Sequence, residues 1–161
     1  MRLTTFSDYT LRVLMYLALH PDRFVTIPEI AAAFGVSVNH LMKVVQRLAA
    51  SGDVETLRGP RGGLRLLRPA EAIRVGSVIR VTEPDMALAP CTECVIRPEC
   101  NLSEVLDQAV AAFMAVLDKY TVADLVARQE ALLGLLGRQF GGGGSASSGV
   151  DRPEREADAP A

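Results

Sequence analysis

The spacing of apolar residues changes along the chain, from a helical period over about the first fifty residues to a hairpin pattern near residue 60, and then back to a helical period. In "SDYTLRVLMYLALH", apolar side chains recur at helical spacing, which predicts a helix over residues 7–20. Ser7 is the expected N-cap of this helix, and Pro21 ends it because proline cannot continue a helix.

Two short helices are predicted to follow in close succession. "TIPEIAAAFG" opens with Thr26 and has Glu29 three residues later, which is the pattern of a capping box, and it stops at Gly35. "SVNHLMKVVQRLAASG" begins at Ser37 and stops at Gly52. Two short helices joined by a tight turn predict a helix-turn-helix.

A hairpin pattern follows the helix-turn-helix directly. Residues 54–58 and 64–67 predict strands on either side of "GPRGG", whose glycines and proline favour a tight turn. A helix-turn-helix joined to such a hairpin is a winged helix. A further short helix is predicted over residues 75–82. We therefore predict a mostly α fold with a small β wing, in which residues 1–82 form a winged helix-turn-helix DNA-binding domain.

One longer amphipathic helix dominates the second half of the chain. In "LSEVLDQAVAAFMAVLDKY", apolar side chains form a continuous stripe, and Asn101 with Glu104 has the pattern of another capping box. We interpret the stripe as a homodimer interface, with packing onto the chain's own winged helix as the alternative. A further helix is predicted from Thr121, so that residues 102–137 form the dimerisation and C-terminal helices. The Gly-, Ser- and charge-rich residues 138–161 predict a disordered tail.

Composition excludes several classes of protein. Hydrophobic residues make up 49% and charged residues 22% of the chain, which is the globular range. Asp8 and Arg12 interrupt the N-terminal apolar stretch, so no signal peptide is predicted, and no uncharged run approaches the roughly 18 residues of a membrane helix. We expect a cytoplasmic protein with no membrane partner and with reduced thiols. The sequence has no evident hydrolase residue set, and we do not expect an enzyme.

Charge is distributed unevenly between the two halves. Residues 1–80 carry 11 Lys and Arg against 6 Asp and Glu, whereas residues 81–161 carry 6 against 13. This asymmetry predicts that only the first half meets a polyanion.

Polar side chains on the second helix of the helix-turn-helix and at the hairpin are candidates for contact with double-stranded DNA. Asparagine can pair with adenine, and lysine or arginine with guanine, while a hairpin arginine can contact phosphates or enter the minor groove. A merely solvated helix face and a hairpin that only aids solubility are the alternatives. The candidates are Ser37, Asn39, His40, Lys43 and Arg47 on the helix, and Arg58, Arg61, Gly62 and Gly63 on the hairpin, with Arg65 and Arg68 beside it.

All three cysteines of the chain, Cys91, Cys94 and Cys100, lie in "CTECVIRPEC". Clustered thiolates bind soft metals, but the sequence has no fourth cysteine and both histidines lie outside this segment, so a structural zinc lacks a convincing fourth ligand. An iron–sulfur cluster is favoured, because its fourth position can take an oxygen ligand or stay open. Structural zinc, unliganded thiols and a thiol redox switch remain alternatives. Residues 83–101 are therefore predicted to be a cluster-binding loop.

Three stretches of the chain resemble the NsrR repressors, which are winged-helix dimers related to the IscR regulators. The stretches are "MRLTTFSDYTLRVLMYLA", "GVSVNHLMKVVQRLAASGDVETLRGPRGGLRL" and "CVIRPECNLSEVLDQAVAAFMAVLDKYTVADLV". The resemblance implies a homodimeric transcriptional repressor whose cysteines ligate an iron–sulfur cluster, commonly 4Fe–4S, with 2Fe–2S as the other possibility. It further implies that nitric oxide nitrosylates the iron and that the dimer then releases a palindromic DNA operator.

The resemblance also implies a fourth cluster ligand. Members of that family can use an acidic residue near the N-terminus, supplied by the other subunit, and the matching position is Asp8 in "FSDYTLR". An acid in the first turn of a helix can also simply stabilise the helix dipole. This chain departs from the family in its short C-x2-C gap and in Val38, where relatives often carry arginine.

The sequence is compatible with two other functions. A regulator of the same fold that responds to iron or to iron–sulfur supply is the nearest alternative. A small iron–sulfur redox protein is the alternative from another class, but it leaves the arginine-rich hairpin without a purpose.

Overall fold

The computed structural model describes residues 2–59 and 62–141. The fold within these residues is mostly helical with one two-stranded antiparallel sheet, so the predicted fold class is confirmed. The elements are α1 (Thr5–Ala18), α2 (Ile27–Phe34), α3 (Val38–Ala50), β1 (Val54–Leu57), β2 (Gly63–Leu66), α4 (Val75–Thr82), α5 (Leu102–Leu117), α6 (Val122–Leu125) and α7 (Gln129–Gly141), with short 3-10 helices at Ala70–Ala72, Cys91–Glu93 and Arg97–Glu99.

The first helix begins earlier than predicted. Thr4, and not Ser7, is its N-cap, because the Thr4 hydroxyl accepts a hydrogen bond from the Ser7 amide at 3.2 Å. Ser7 is instead fully buried, and its hydroxyl donates to Glu83 Oε1 at 2.5 Å. The sequence pattern missed this start because threonine and serine are both good N-caps and stand three positions apart.

The predicted capping box of α2 is half present. Thr26 Oγ1 accepts from the Glu29 amide at 3.3 Å, as predicted. The Glu29 carboxylate turns away from the N-cap and accepts from the Tyr16 hydroxyl at 3.1 Å, while it also pairs with Arg23. Gly35 ends α2 in the left-handed conformation, with φ of 63°, which only glycine adopts freely.

The core of the winged helix is aliphatic. Helix α1 lies at its centre and packs against α3, α4 and α6. The largest fully buried side chains include Leu14 and Leu17 of α1, Ile30 of α2 and Leu41 of α3. Burial of these branched side chains fixes α3 beside α1, so its opposite face is left in solvent.

The hairpin forms close to its predicted bounds. Strands β1 and β2 pair from Val54↔Leu66 to Leu57↔Gly63. Val25, in the connection between α1 and α2, also exchanges backbone hydrogen bonds with Leu64, at 2.9 and 2.7 Å. These bonds tie the hairpin to the helical core.

The helices after the cysteine loop differ in detail from the prediction. Asn101 makes no side-chain capping bond, so the capping box predicted with Glu104 is wrong. A complete capping box does form between Thr121 and Asp124, but α6 then stops at Leu125 and a turn separates it from α7. Helix α7 continues to Gly141, past the predicted start of the tail. The rest of that predicted tail, residues 142–161, lies outside the described residues.

Helix α5 presents two apolar faces. Met114 is buried, and it packs with Val75 and Ile79 of α4 in a second small core that also takes in Val110, Phe113 and Leu117. The C-terminal half of the predicted stripe therefore packs onto the chain's own winged helix. Leu102, Val105 and Val116 stay between 50% and 57% exposed. In the described part of the chain, no helix is long and apolar enough to cross a membrane.

Candidate DNA-binding surface and cysteine loop

Helix α3 presents its predicted contact residues to solvent. Leu41, Val44, Val45 and Leu48 point into the core, and the opposite face carries Asn39, His40, Lys43 and Arg47, all exposed. Ser37 caps the helix through its backbone only, so its exposed hydroxyl is left without a capping bond. The Asn39, Lys43 and Arg47 side chains make no hydrogen bond or ion pair with any other described residue. The arrangement matches the exposed recognition helix of a helix-turn-helix.

The arginines of the wing, the hairpin formed by β1, β2 and their connection, divide into free and paired residues. Arg58 is exposed and has no ion pair with the described residues. Arg65 pairs with Glu55 on the facing strand at 2.6 Å, and Arg68 pairs with Asp53. Arg65 and Arg68 therefore add less free positive charge than the sequence suggests. Arg61 lies outside the described residues.

The two wing glycines have a structural role within the hairpin. A Cβ atom at Gly62 would lie 2.1 Å from the Leu57 carbonyl oxygen. A Cβ atom at Gly63 would lie 2.7 Å from the Val25 carbonyl oxygen, in the contact that ties the hairpin to the core. Both positions require glycine whether or not DNA is present, and close approach to DNA stays a prediction.

The cysteine loop is a succession of single turns. The Cys94 amide donates to the Cys91 carbonyl at 3.3 Å, the Arg97 amide to the Cys94 carbonyl at 3.2 Å, and the Cys100 amide to the Arg97 carbonyl at 3.3 Å. All three thiols are free; Cys91 and Cys100 are half-buried and Cys94 is exposed. The Leu102 amide, at the start of α5, donates to Cys100 Sγ at 3.5 Å.

The donor set of this loop suits an iron–sulfur cluster. It offers three free thiols within ten residues and an N–H donor to one sulfur, which is the kind of contact that tunes cluster ligands. Over residues 2–59 and 62–141, no three His, Cys, Asp or Glu side chains lie close enough together to hold a single metal ion.

Asp8 is engaged by an arginine of its own chain. Arg12 Nε donates to both carboxylate oxygens, at 3.0 and 2.9 Å, one helical turn away. The guanidinium of Arg12 also lies 5.5 Å from the centre of the Phe34 ring, at the end of α2. The Asp8 side chain is 46% exposed, so it is accessible to a second molecule.

Sequence reasoning missed Glu83, which joins the end of α4 to the start of α1. Its side chain is 8% exposed, and Oε1 accepts hydrogen bonds from the Thr4 amide at 2.7 Å and from the Ser7 hydroxyl. Burial raises the pKa of Glu83, but the hydrogen bonds from Ser7 and Thr4 outweigh it and hold the pKa below its ordinary value. No local sequence signal points to this residue, because its partners lie more than seventy positions away.

A winged helix with an unpaired polar recognition face and a basic wing defines a DNA-binding regulator. Residues 3–128 match the family model of Rrf2, described as an iron-dependent transcriptional regulator. The chain is also 46% identical over 142 residues to the HTH-type transcriptional regulator NsrR of Bacillus subtilis (strain 168), covering 84% of this chain and 97% of that relative. This chain belongs to the Rrf2 family of transcriptional regulators.

Solved structures of two regulators are similar to this fold. IscR from T. potens is 26% identical, with a TM-score of 0.67 over 81% of this chain and 90% of that chain. CymR, the global cysteine regulator of B. subtilis, is also 26% identical, with a TM-score of 0.64 over 80% of this chain and 98% of that chain. The resemblance to NsrR and IscR regulators inferred from the sequence is confirmed.

Proposed function

We propose that this chain is a homodimeric repressor that holds an iron–sulfur cluster, binds a palindromic operator and releases it in the presence of nitric oxide. The observation that carries the proposal is a loop of three free cysteines placed between a DNA-binding winged helix and a long helix with an exposed apolar face. The 46% identity to a regulator named NsrR supports the same function.

The DNA-binding part of the proposal rests on unpaired polar side chains. Asn39, Lys43 and Arg47 are free to meet base edges and phosphates, and Arg58 at the wing is free to meet the backbone or the minor groove. A two-fold dimer places two such helices on symmetric half-sites, which is why the operator should be palindromic.

The sensing part rests on the donor set. Cys91, Cys94 and Cys100 would hold the cluster, and the bound cluster would supply iron that nitric oxide can reach. Asp8 of the second protomer is the proposed fourth ligand, because its carboxylate is half-exposed. Arg12 would have to release Asp8 for this role. A carboxylate binds iron less strongly than a thiolate does, so this position is the easiest to vacate.

The dimer part rests on the exposed face of α5. Leu102, Val105 and Val116 remain about half exposed on a helix whose other side is already packed. Large exposed apolar side chains on a long helix are typical of a protein interface. We expect a second copy of α5 to cover them.

A regulator that responds to iron supply is the second candidate, because the matching family model is described as iron-dependent. The two functions share the fold, the cysteines and the operator. They differ in whether nitric oxide or loss of iron is the signal that releases DNA.

The deciding experiment uses the anaerobically purified, cluster-loaded protein. Operator binding is followed while nitric oxide is added, and in a parallel arm while an iron chelator is added. The proposal expects release at a few nitric oxide molecules per cluster. Retained binding with nitric oxide and release with the chelator would support the iron-responsive function instead. Iron and sulfide content per protomer, read together with the visible absorption spectrum of the same sample, distinguishes 4Fe–4S from 2Fe–2S.

A further inference from the structure

Asp118, at the C-terminal end of α5, contacts α4 through both its carboxylate and its backbone carbonyl. Arg80 Nη1 donates to Asp118 Oδ1 at 2.7 Å and Arg80 Nη2 donates to Oδ2 at 2.6 Å, a bidentate pair. Arg74 Nη1 donates to the Asp118 carbonyl oxygen at 2.8 Å. The pKa of Asp118 is held below its ordinary value mainly by the hydrogen bond from Arg80. One residue at the end of α5 thus contacts two arginines flanking and within α4.

The close approach at this joint requires a glycine. A Cβ atom at Gly76, in the first turn of α4, would lie 2.0 Å from Asp118 Oδ1 and 2.9 Å from its carboxyl carbon. Two backbone bonds hold the same junction: the Val75 amide donates to the Tyr120 carbonyl and the Val122 amide to the Ile73 carbonyl, both at 2.9 Å. The Asp118 carboxylate therefore occupies the space that a side chain at position 76 would need.

The opposite end of α4 is fixed to α1. Glu83, directly after α4, accepts hydrogen bonds from Thr4 and Ser7 at the start of α1. Helix α4 is thus connected to α5 at one side and to the DNA-binding core at the other. Helix α5 itself starts at Leu102, two positions after the last cysteine. A displacement of the cysteine loop therefore has a continuous path through α5 and α4 to α1 and α3.

Stability alone does not explain the joint. The side chains of Arg80 and Asp118 are 51% and 36% exposed, and ion pairs this exposed contribute little to stability. The apolar contacts of Val75, Ile79 and Met114 already hold α4 against α5. Apolar contacts are not directional, whereas a bidentate arginine–carboxylate pair fixes an orientation.

We propose that Asp118 is a positioning residue that sets the angle between α5 and the winged helix, and so makes operator affinity depend on the state of the cysteine loop. The inference rests on the proposed function, in which α5 holds the dimer together. In such a dimer the α4–α5 angle sets the separation of the two α3 helices, which must match successive major grooves.

The test compares Asp118→Asn with Asp107→Asn in the full-length dimer. Asp107 is an exposed acid on the same helix, and its substitution makes the same change of charge. Operator affinity is measured for each protein with the cluster and after its removal, and the ratio of the two affinities is the readout. This ratio does not involve nitric oxide, so it remains informative if the proposed signal proves wrong.

We expect Asp118→Asn to keep the visible absorbance of the cluster and the dimeric state while the affinity ratio shrinks roughly fivefold or more, within the usual range of allosteric coupling. Asp107→Asn should keep the ratio of the natural protein. An unchanged ratio in Asp118→Asn would overturn the inference. Equal weakening of both affinities is one form of that outcome, and it would assign Asp118 a merely structural role.

Gly76→Ala provides a second variant that keeps every charge and displaces the carboxylate sterically. It should also shrink the ratio, and if it does not fold, Arg80→Gln replaces it. In the cluster-free protein, hydrogen exchange at the Val75 and Val122 amides should be faster in Asp118→Asn than in Asp107→Asn. Equal exchange rates in the two variants would show that the carboxylate does not hold the joint.

Discussion

At the residue scale, Glu83 is the least expected feature of the molecule. A carboxylate that is 8% exposed, and that has only neutral donors among the described residues, is costly to bury unless those donors are well placed. Here they are Thr4, the N-cap of α1, and Ser7, one position before Asp8. The same hydrogen bonds hold the end of α4, the start of the cysteine loop and the proposed cluster ligand in one place.

Glu83→Ala should destabilise the protein by about 1–3 kcal/mol, because it leaves the Thr4 amide without its acceptor. Chemical unfolding measures this loss. Asp85→Ala is the control, since Asp85 is exposed and accepts a hydrogen bond from the nearby Ala87 amide. A loss as large in Asp85→Ala would mean that the buried hydrogen bonds of Glu83 are not its cause.

Substitution of Glu83 should also change how steeply the free energy of unfolding falls in acid. Because the folded-state pKa of Glu83 lies below the ordinary value of 4.5, its contribution to stability is present above that pH and is lost as the pH falls through the folded pKa. Unfolding free energies measured between pH 7 and pH 3 should therefore fall less steeply in Glu83→Gln. An equally steep fall would assign acid sensitivity to other groups, such as Glu29, whose pKa is lowered chiefly by the hydrogen bond from Arg23.

At the element scale, the wing carries two kinds of arginine: Arg58, which is proposed to contact DNA, and Arg65 and Arg68, which form ion pairs within the hairpin and its flanks. Arg58→Ala should weaken operator binding and reduce the slope of log affinity against log salt by about one phosphate contact. Arg65→Ala should leave that slope nearly unchanged, because Arg65 already pairs with Glu55 and stacks on Phe24. Equal slopes for both variants would remove Arg58 from the interface.

Gly63→Ala tests the packing of the wing on the core. The added Cβ would meet the Val25 carbonyl at 2.7 Å, so the variant should lose about 1–3 kcal/mol of unfolding free energy. Gly137→Ala, in the open surface of α7, should instead gain up to about 1 kcal/mol, because a helical glycine is unfavourable relative to alanine. Thermal unfolding distinguishes the two signs, and a stabilised Gly63→Ala would contradict the close contact.

The elements themselves could be predicted where local signals decide them. The apolar spacing of "VNHLMKVVQRLAA" and the stop at Gly35 place α2, α3 and the recognition face almost to the residue. The ion pairs of Arg65 and Arg68 could not be predicted in this way, since cross-strand partners depend on register. The Asp118 joint is also invisible in the sequence, because Arg80 and Asp118 are 38 positions apart.

At the scale of the whole molecule, the proposed sensor is completed only in a dimer. In the proposed dimer, the cysteines would meet Asp8 of the second protomer, and a second copy of α5 would cover the exposed face of this helix. A site completed in this way would tie cluster binding to dimer formation. If the fourth ligand crosses the dimer, loss of that ligand at one cluster acts directly on the DNA-binding domain of the other protomer.

Mixed dimers can decide whether Asp8 crosses between protomers. One protomer carries Asp8→Ala with all three cysteines, and the other carries Cys94→Ala with Asp8 intact; the two are co-expressed with different tags and purified through both. If Asp8 acts across the dimer, one of the two sites has its full set of ligands, and if Asp8 acts within its own chain, neither site does. We expect about half the cluster absorbance of the natural dimer, with the natural rate of response to nitric oxide.

Dimers of Asp8→Ala alone provide the reference spectrum and rate for a site that lacks only the carboxylate. A mixed dimer that matched this Asp8→Ala reference in rate would place the Asp8 of each chain at its own cysteines or outside the site altogether.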